Sequence, residues 1–315
     1  MTSLLTNNAA MTALQTLTQT NKSLETTQNR ISTGFRVASA QDNAAYWSIA
    51  TTMRSDHSAL STVQDALGLG SGTIDTAYTA VNSSIEVVSE IKKKLVAARE
   101  PGVDRAKVQS EITELQNTLQ SFADGAVFSG ENWLSVDSGA TGYNATKTIV
   151  ASFTRSGGSV SIGTISVDIS TIALFDADAT AEGIVDGTRD ATGAIVGSGG
   201  GSNTFSVSSL DISSLTDSSA DLTTLESYIV GVDTALGEMT DAAAGLGAVK
   251  ARIDIQKTFV SNLMDAIDRG IGQLVDADMN EESTRLQALQ VQAQLGVQAL
   301  SIANQSSQNI LSLFR

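Results

Sequence analysis

The sequence is poor in the residues from which enzymes and covalently braced folds are built. Its 315 residues include no cysteine, one histidine and one proline, and only 4% are aromatic. Without cysteine there are no disulfides, thiolate metal sites or thiol nucleophiles. The single histidine, His57, stands in a helical stretch with no motif of a hydrolase, nucleotide-binding protein or zinc protease around it, so we interpret it as a surface or packing residue. We expect no enzyme, no cofactor and no metal site.

Basic charge is also scarce. The chain carries 19 Lys and Arg against 34 Asp and Glu, a formal net charge of −15. This balance argues against binding to a phosphate backbone or to an anionic membrane surface. The N-terminus lacks the features of a secretory signal peptide, and no run of about 18 apolar residues is present. We predict neither a nucleic-acid partner nor membrane insertion.

The sequence does contain apolar residues at heptad spacing. Six of them are seven residues apart, and a companion series three residues further on includes Val63, Ala77 and Ile91. The six are Leu60, Leu67, Ile74, Val81, Val88 and Leu95. This spacing predicts one helix over 57–99 that packs against other helices along its length. The helix should end just before Pro101 and Gly102.

The same spacing returns in the C-terminal half, where it predicts a helix of about fifty residues. Its leading residues are Leu225, Val232, Met239, Leu246, Ile253, Val260 and Ile267. Between the two long helices we predict a shorter one, with one face formed by Val108, Ile112, Leu115, Leu119 and Phe122. Residues 124–133 are predicted to form turns around buried aromatic side chains.

Both chain ends carry a thinner apolar seam with little charge beside it. At the N-terminal end the seam consists of Ala10, Leu17, Leu24 and Ile31, thickened by Met11 and Leu14. At the C-terminal end it consists of Leu286, Leu289, Ala293, Gly296, Leu300, Ala303, Ile310 and Phe314. No charged residue lies between 286 and 314. Such helices have little reason to fold alone and suit burial in an assembly. The alternative, a soluble two-stranded coiled coil, usually has Glu and Lys at the flanking positions.

The middle of the chain, residues 137–217, is rich in Gly, Ser, Thr and Asp. The runs "TIVASFTR" and "GGSVSIGTISVDIS" alternate in polarity and predict a β-hairpin, and residues 191–203 predict a loop. The predicted fold class is therefore mainly α. A long antiparallel helical bundle or coiled coil is formed by both chain ends, and a small β-hairpin-containing insertion lies in the middle, displayed at the far end from the termini.

Three stretches resemble the bacterial flagellin family. They are "RISTGFRVASAQDNAA" at 30–45, "DADMNEESTRLQ" at 276–287 and "ANQSSQNILSLFR" at 303–315. The serine-rich centre and "AAYWSIA" are most similar to α-proteobacterial flagellins of the rhizobial or Agrobacterium-like type. The resemblance implies a structural subunit of the flagellar filament that is exported unfolded by the flagellar type III apparatus and serves swimming motility outside the cell.

The resemblance also implies partners and domains. The partners are copies of the chain itself or paralogous flagellins, an export chaperone, and the filament cap and hook-associated proteins. The domains are an inner tube with its spoke (1–44 and 271–315), a helical bundle (45–136 and 218–270) and the outer insertion (137–217). A hook–filament junction protein is the alternative that shares the paired-helix plan.

The implied assembly contacts are charges near the antiparallel ends and apolar residues of the C-terminal seam. We expect Arg30 and Arg36 to meet carboxylates. A mispaired buried charge costs several kcal/mol, so such pairs would set the register of the two chain ends and the contacts between subunits. The candidate carboxylates are Asp276, Asp278, Glu281 and Glu282. The other expected contacts are Asp42, Asn43, Leu286, Leu300, Ile310 and Phe314.

The sequence departs from the family at positions that animal and plant immune receptors read. Glu90 stands where many flagellins have an arginine. Gln41, Asn43 and Tyr46 replace a lysine, an aspartate and a glycine of the usual plant-receptor segment. We therefore expect poor recognition by both kinds of receptor.

Overall fold

A computed structural model describes residues 7–178, 183–196 and 204–312, with side chains as far as residue 305. The helices are α1 (Asn8–Thr33), α2 (Ala44–Ala97), α3 (Arg105–Gly125), α4 (Ser219–Val275) and α5 (Met279–Ser312). The strands are β1 (Val127–Phe128), β2 (Glu131–Asn132), β3 (Ser135–Val136), β4 (Thr146–Ser156), β5 (Ser159–Asp168) and β6 (Phe175–Asp176). The predicted fold class, mainly helical with a small strand-containing middle, is confirmed. Among the helices so described, none is both long and apolar enough to cross a membrane.

The chain forms two compact units. The terminal unit comprises Met1–Ser58 and Leu263–Arg315, and the central unit comprises Ala59–Asn262. Helices α2 and α4 each contribute residues to both units. Because both chain ends lie in the same unit, the N-terminal and C-terminal helices of one chain can pair with each other.

In the central unit, the predicted heptad residues form the helical core. All six leading residues of α2 are buried, and so are the first six of α4, Leu225 to Val260. The two helices run antiparallel, since Lys250 pairs with Asp75 at 2.5 Å and Lys92 with Asp233 at 2.5 Å. Heptad spacing therefore identified the interior of this unit correctly.

Two details of the helices differ from the predictions. Helix α2 begins at Ala44, well before the predicted residue 57, because Asn43 caps it ahead of the heptad series. On α3, Phe122 is exposed rather than core, while Leu119 and Ala123 are fully buried. A three-to-four spacing of apolar residues does not show which edge of a stripe faces solvent.

The predicted turns and hairpin are present in the middle of the chain. Strands β1 and β2 form a short antiparallel pair, and Trp133 beyond them is buried with its Nε1 donating to Glu131 Oε2 at 3.2 Å. Strands β4 and β5 pair from Thr146–Asp168 to Ser156–Ser159. Gly157 and Gly158 join them with φ of 58° and 88°, the backbone that a two-residue hairpin turn needs. Of the predicted loop 191–203, residues 197–203 lie outside the described part.

A buried arginine attaches the insertion to α4. Arg189 is fully buried, and its guanidinium donates to the carbonyl oxygens of Ile184 at 2.7 Å and Gly193 at 2.8 Å. It also pairs with Glu238 of α4 at 2.5 Å. Nothing in the local sequence around Arg189 indicates this role, because its carboxylate partner lies 49 residues away. A buried guanidinium requires such a set of acceptors.

Candidate assembly surface

The terminal unit is built on the antiparallel pair α1 and α5. Asn7 Nδ2 donates to the carbonyl of Ala303 at 3.0 Å, and Arg30 at the other end of α1 meets Glu282. Between these points Gly296 faces Leu17 so closely that a Cβ at the glycine would lie 3.2 Å from Leu17 Cδ1. The seam residues that the sequence indicated on α5 as far as residue 303 are each half-buried: Leu286, Leu289, Ala293, Gly296, Leu300 and Ala303.

On α1 the seam includes residues that the apolar pattern missed. Thr20 and Thr27 are the buried residues of this helix. Thr20 Oγ1 donates to the carbonyl of Thr16 at 2.9 Å, so its hydroxyl is satisfied within the helix and its methyl group can pack. Met11 and Leu14, expected to thicken the seam, are exposed instead. A search for aliphatic residues alone could not find a seam that uses threonine.

A second apolar stripe on α5 is left uncovered by the residues that the structure describes. Val291, Leu295 and Ile302 are 56%, 59% and 69% exposed. Their spacing of four and seven residues places them on one face of the helix, away from the seam. No charged residue lies between 286 and 314 to solvate that face. Such a face suits burial against other protein. The predicted contacts Ile310 and Phe314 lie outside the side chains that the structure describes.

A buried carboxylate lies where α1 ends and α5 begins. Arg30 Nη1 lies 2.9 Å from Glu282 Oε1, and Arg285 Nη1 lies 3.2 Å from the same atom. The Glu282 side chain is only 6% exposed, whereas Arg30 is 28% exposed. The second oxygen, Oε2, is buried and has no hydrogen-bond partner among the described residues. Glu281 pairs with Arg285 at 2.7 Å. The predicted approach of Arg30 to Glu282 is present, and Arg285 is an additional partner.

Arg36 has partners of a different kind from those expected. Its Nη2 donates to the carbonyl oxygens of Gln273 at 3.3 Å and Leu274 at 3.1 Å, in the last turn of α4. Carbonyls in the last turn of a helix have no intrahelical donor, and a cation there is also favoured by the helix dipole. Among the described residues, Arg36 thus caps the C-terminal end of α4 and does not pair with a carboxylate as expected.

The loop after α1 is joined to the junction of α4 and α5 by backbone hydrogen bonds. The amides of Arg36 and Val37 donate to the Val275 carbonyl at 2.7 and 3.2 Å, and the amide of Ala277 donates to Gly34 at 2.9 Å. Gly34 ends α1 with φ of 76°, a left-handed conformation that favours glycine. Asp276 forms a β-bridge with Phe35. Beneath this junction lies a small core of Val37, Ala50, Ile271 and Val275.

The remaining polar residues of the stretches 30–45 and 276–287 form hydrogen bonds with the backbone. Asp42 Oδ2 accepts from the amides of Ser39 at 2.9 Å and Ala38 at 3.1 Å, and these bonds, Ser39 first, lower the pKa of the Asp42 carboxyl. Asn43 Oδ1 accepts from the amides of Ala45 and Tyr46, both at 3.1 Å, and so caps α2. Asp278 caps α5 by accepting from the amide of Asn280 at 2.9 Å. Asp42 thus stabilises the loop between α1 and α2, while Asn43 and Asp278 cap the N-termini of α2 and α5.

The cap at the start of α2 gives a direct test. We expect Asn43→Ala to lower the free energy of unfolding by about 1 kcal/mol, because two helix amides lose their acceptor. Asn43→Asp keeps an acceptor and should match the unmodified chain. Guanidinium unfolding followed by circular dichroism compares the three proteins. Equal stability of the alanine and aspartate variants would contradict the capping role.

The positions compared with receptor segments differ in exposure. Gln41 and Tyr46 are exposed, and Tyr46 is followed by the exposed Trp47 and Ile49. Glu90 pairs with Lys93 at 3.1 Å on α2. His57 Nε2, on α2, lies 3.3 Å from Asp268 Oδ2, on α4.

Two family models match the chain at the elements just described. The model described as the bacterial flagellin N-terminal helical region matches residues 4–138, and the model described as the bacterial flagellin C-terminal helical region matches residues 229–314. The chain belongs to the bacterial flagellin family. The three sequence stretches that carry the resemblance lie inside or at the edge of these matches.

Full-length relatives support the assignment. The chain is 52% identical over 326 residues to flagellin C of Rhizobium meliloti (strain 1021), with all of both chains covered. It is 45% identical over 397 residues to flagellin A of the same strain, and 47% identical over 316 residues to a flagellin of Brucella melitensis biotype 1, again with full coverage. Flagellin C is thus close to this chain in length, and flagellin A is longer.

Family membership confirms the main functional predictions. A flagellin is a structural subunit of the bacterial flagellar filament and is not an enzyme. It polymerises with itself, and the filament that it forms is extracellular and serves motility. The relatives favour this function over that of a hook–filament junction protein.

Proposed function

We propose that the chain polymerises through its terminal unit, with α1 and α5 forming the inner tube of the filament. The observation that carries this proposal is the uncovered stripe Val291, Leu295 and Ile302 on a helix that is uncharged beyond Arg285. Leu286 and Leu300 belong to the half-buried seam of α5, which faces α1 of the same chain. The stripe lies on the opposite side of α5 and can contact a neighbouring chain. Burial of the stripe offsets the entropy lost when the chain ends become ordered.

The charged junction sets the register of the two ends in this proposal. Glu282 is stabilised only where Arg30 and Arg285 reach it, because a buried carboxylate without its cations is costly. The surrounding loop and helix ends are held in place by six further residues: Arg36, Asp42, Asn43, Asp276, Asp278 and Glu281. A slipped pairing of α1 and α5 would separate Glu282 from Arg30. The junction therefore disfavours a slipped pairing of the two chain ends within each subunit.

We further propose that the chain is exported unfolded by the flagellar type III apparatus, with an export chaperone, the filament cap and hook-associated proteins as partners. A chain with no cysteine and one proline supports this route, because no disulfide can lock it and slow prolyl isomerisation is nearly absent.

The proposed filament layers follow the predicted ranges. Residues 1–44 and 271–315 form the inner tube and spoke, 45–136 and 218–270 the helical bundle, and 137–217 the outer surface. These ranges are assigned to layers of the filament. Their boundaries differ from those of the two compact units, which are defined by contacts within one chain. The residues at Gln41, Asn43, Tyr46 and Glu90 remain proposed positions of weak immune recognition.

Seeded assembly of the full chain tests the proposed function. Purified protein is mixed with short filament fragments and examined by electron microscopy, while the free subunit is treated briefly with protease. We expect long helical filaments, and trimming of the free subunit confined to the terminal unit. A free subunit with protected ends that forms no filaments would contradict the proposal and favour the junction-protein alternative.

A further inference from the structure

The outward face of α4 in the central unit carries an apolar strip that no described part of the chain covers. Ile255 and Phe259 are 72% and 56% exposed and lie one helical turn apart. The neighbouring core residues Ile253 and Val260 point to the other side of the helix. The strip continues toward the N-terminus of α4 through exposed small residues at the same helical spacing, Ala244, Ala248 and Ala251. We refer to Ala244, Ala248, Ala251, Ile255 and Phe259 as the α4 strip.

A groove of the same unit lies between α2 and α3 and is lined by residues of these two helices and by Ala126 just after α3. It has a volume of about 530 Å³. Its walls include Ala80, Ser83, Ser121, Phe122, Gly125 and Ala126. We call this feature the α2–α3 groove. Small residues let another helix approach closely, and the exposed ring of Phe122 offers an apolar surface to it.

We propose that the α4 strip of one chain docks into the α2–α3 groove of a second copy. The inference deepens the proposed function and rests on it. A flagellin meets copies of itself throughout its filament, so a second copy is the partner always present. Strip and groove are different surfaces of one unit, which makes their contact heterologous. Heterologous contacts that do not close into a ring generate helical polymers.

Charge placement favours strip-to-groove docking over contact between two like surfaces. Arg252 is exposed one turn before Ile255, on the side of α4 that carries the strip. Asp124 is exposed on α3 next to the groove residue Gly125. A strip facing another strip would bring two Arg252 side chains together, whereas docking in the groove places Arg252 near an aspartate. Complementary charges of this kind fix the partner and the orientation.

Disulfide cross-linking tests the contact, because the natural chain has no cysteine. Chains carrying Phe259→Cys and Ser121→Cys are assembled together on filament seeds and then oxidised. A second pair, Arg252→Cys with Asp124→Cys, leaves both large apolar residues of the strip in place. The control pair is Phe259→Cys with Gln120→Cys, since Gln120 is exposed on α3 and does not line the groove.

We expect each test pair to give at least ten times more cross-linked dimer than the control pair, and only in the assembled state. Filaments that form normally but give no excess dimer in either test pair would overturn the inference while leaving the proposed function intact. Equal cross-linking of test and control pairs would overturn it as well. Failure of the unmodified chain to form filaments on seeds would instead contradict the proposed function, and the inference with it.

Discussion

Arg30→Met should raise the concentration of free subunit that remains after polymerisation by roughly 30- to 150-fold. The substitution removes one of two guanidinium groups from the buried carboxylate of Glu282. Removing a partner from a fully buried ion pair costs about 3–5 kcal/mol. Because Arg30 is partly exposed and Arg285 remains, we expect about 2–3 kcal/mol, which corresponds to that change in the residual concentration. Sedimentation of filaments and assay of the supernatant measure it.

Two control variants identify the origin of this effect. Lys22→Met removes an exposed charge from the same helix and should change the residual concentration less than fivefold. The double variant Arg30→Met with Glu282→Leu removes the uncompensated carboxylate and should recover part of the loss. A double variant no better than Arg30→Met alone would show that the two side chains are not energetically coupled.

Replacement of the α5 stripe should have an even larger effect on assembly. In the triple variant Val291→Ser, Leu295→Ser and Ile302→Ser, each position loses apolar area that the proposed filament buries. At about 1–2 kcal/mol per side chain, the residual subunit concentration rises by roughly 10²- to 10⁴-fold. The main melting temperature of the free chain should stay unchanged, because the three side chains are exposed in one chain.

A conservative triple variant is the matched control for the stripe. Val291→Ile, Leu295→Met and Ile302→Val keep the face apolar at similar volume and should polymerise nearly as well as the unmodified chain. Normal assembly of the serine variant would contradict the role of the stripe. A large fall in the melting temperature of its free subunit would mean that the stripe stabilises one chain rather than the filament.

The parts of the fold that could be predicted are those governed by apolar periodicity and turn residues. The buried heptad series from Leu60 to Leu95, the Gly157–Gly158 hairpin and the seam of α5 follow directly from residue type and spacing. The seam of α1 was only partly visible because Thr20 and Thr27 pack there despite their hydroxyl groups. The start of α2 was missed because a single cap, Asn43, rather than an apolar series, determines it.

Polar partners far apart in sequence were harder to predict. Arg30 and Glu282 could be paired because the antiparallel ends bring the stretches 30–45 and 276–287 together. Arg36 belongs to the first of these stretches, yet it donates to backbone carbonyls in the last turn of α4. This contact could not be predicted without knowing where α4 ends. Arg189 and Glu238 gave no signal, since neither residue belongs to a motif and only the packed insertion makes them meet.

The central claim is that the terminal unit completes its packing only in the filament. Peptide-level hydrogen–deuterium exchange mass spectrometry tests it most directly. It is measured on the free chain and on seeded filaments. We expect the amides of α1 and α5 to exchange quickly in the free chain and to become strongly protected on assembly, while the core of α2 and α4 in the central unit is protected in both states. Equal, strong protection of α1 and α5 in the free chain and in filaments would contradict the account.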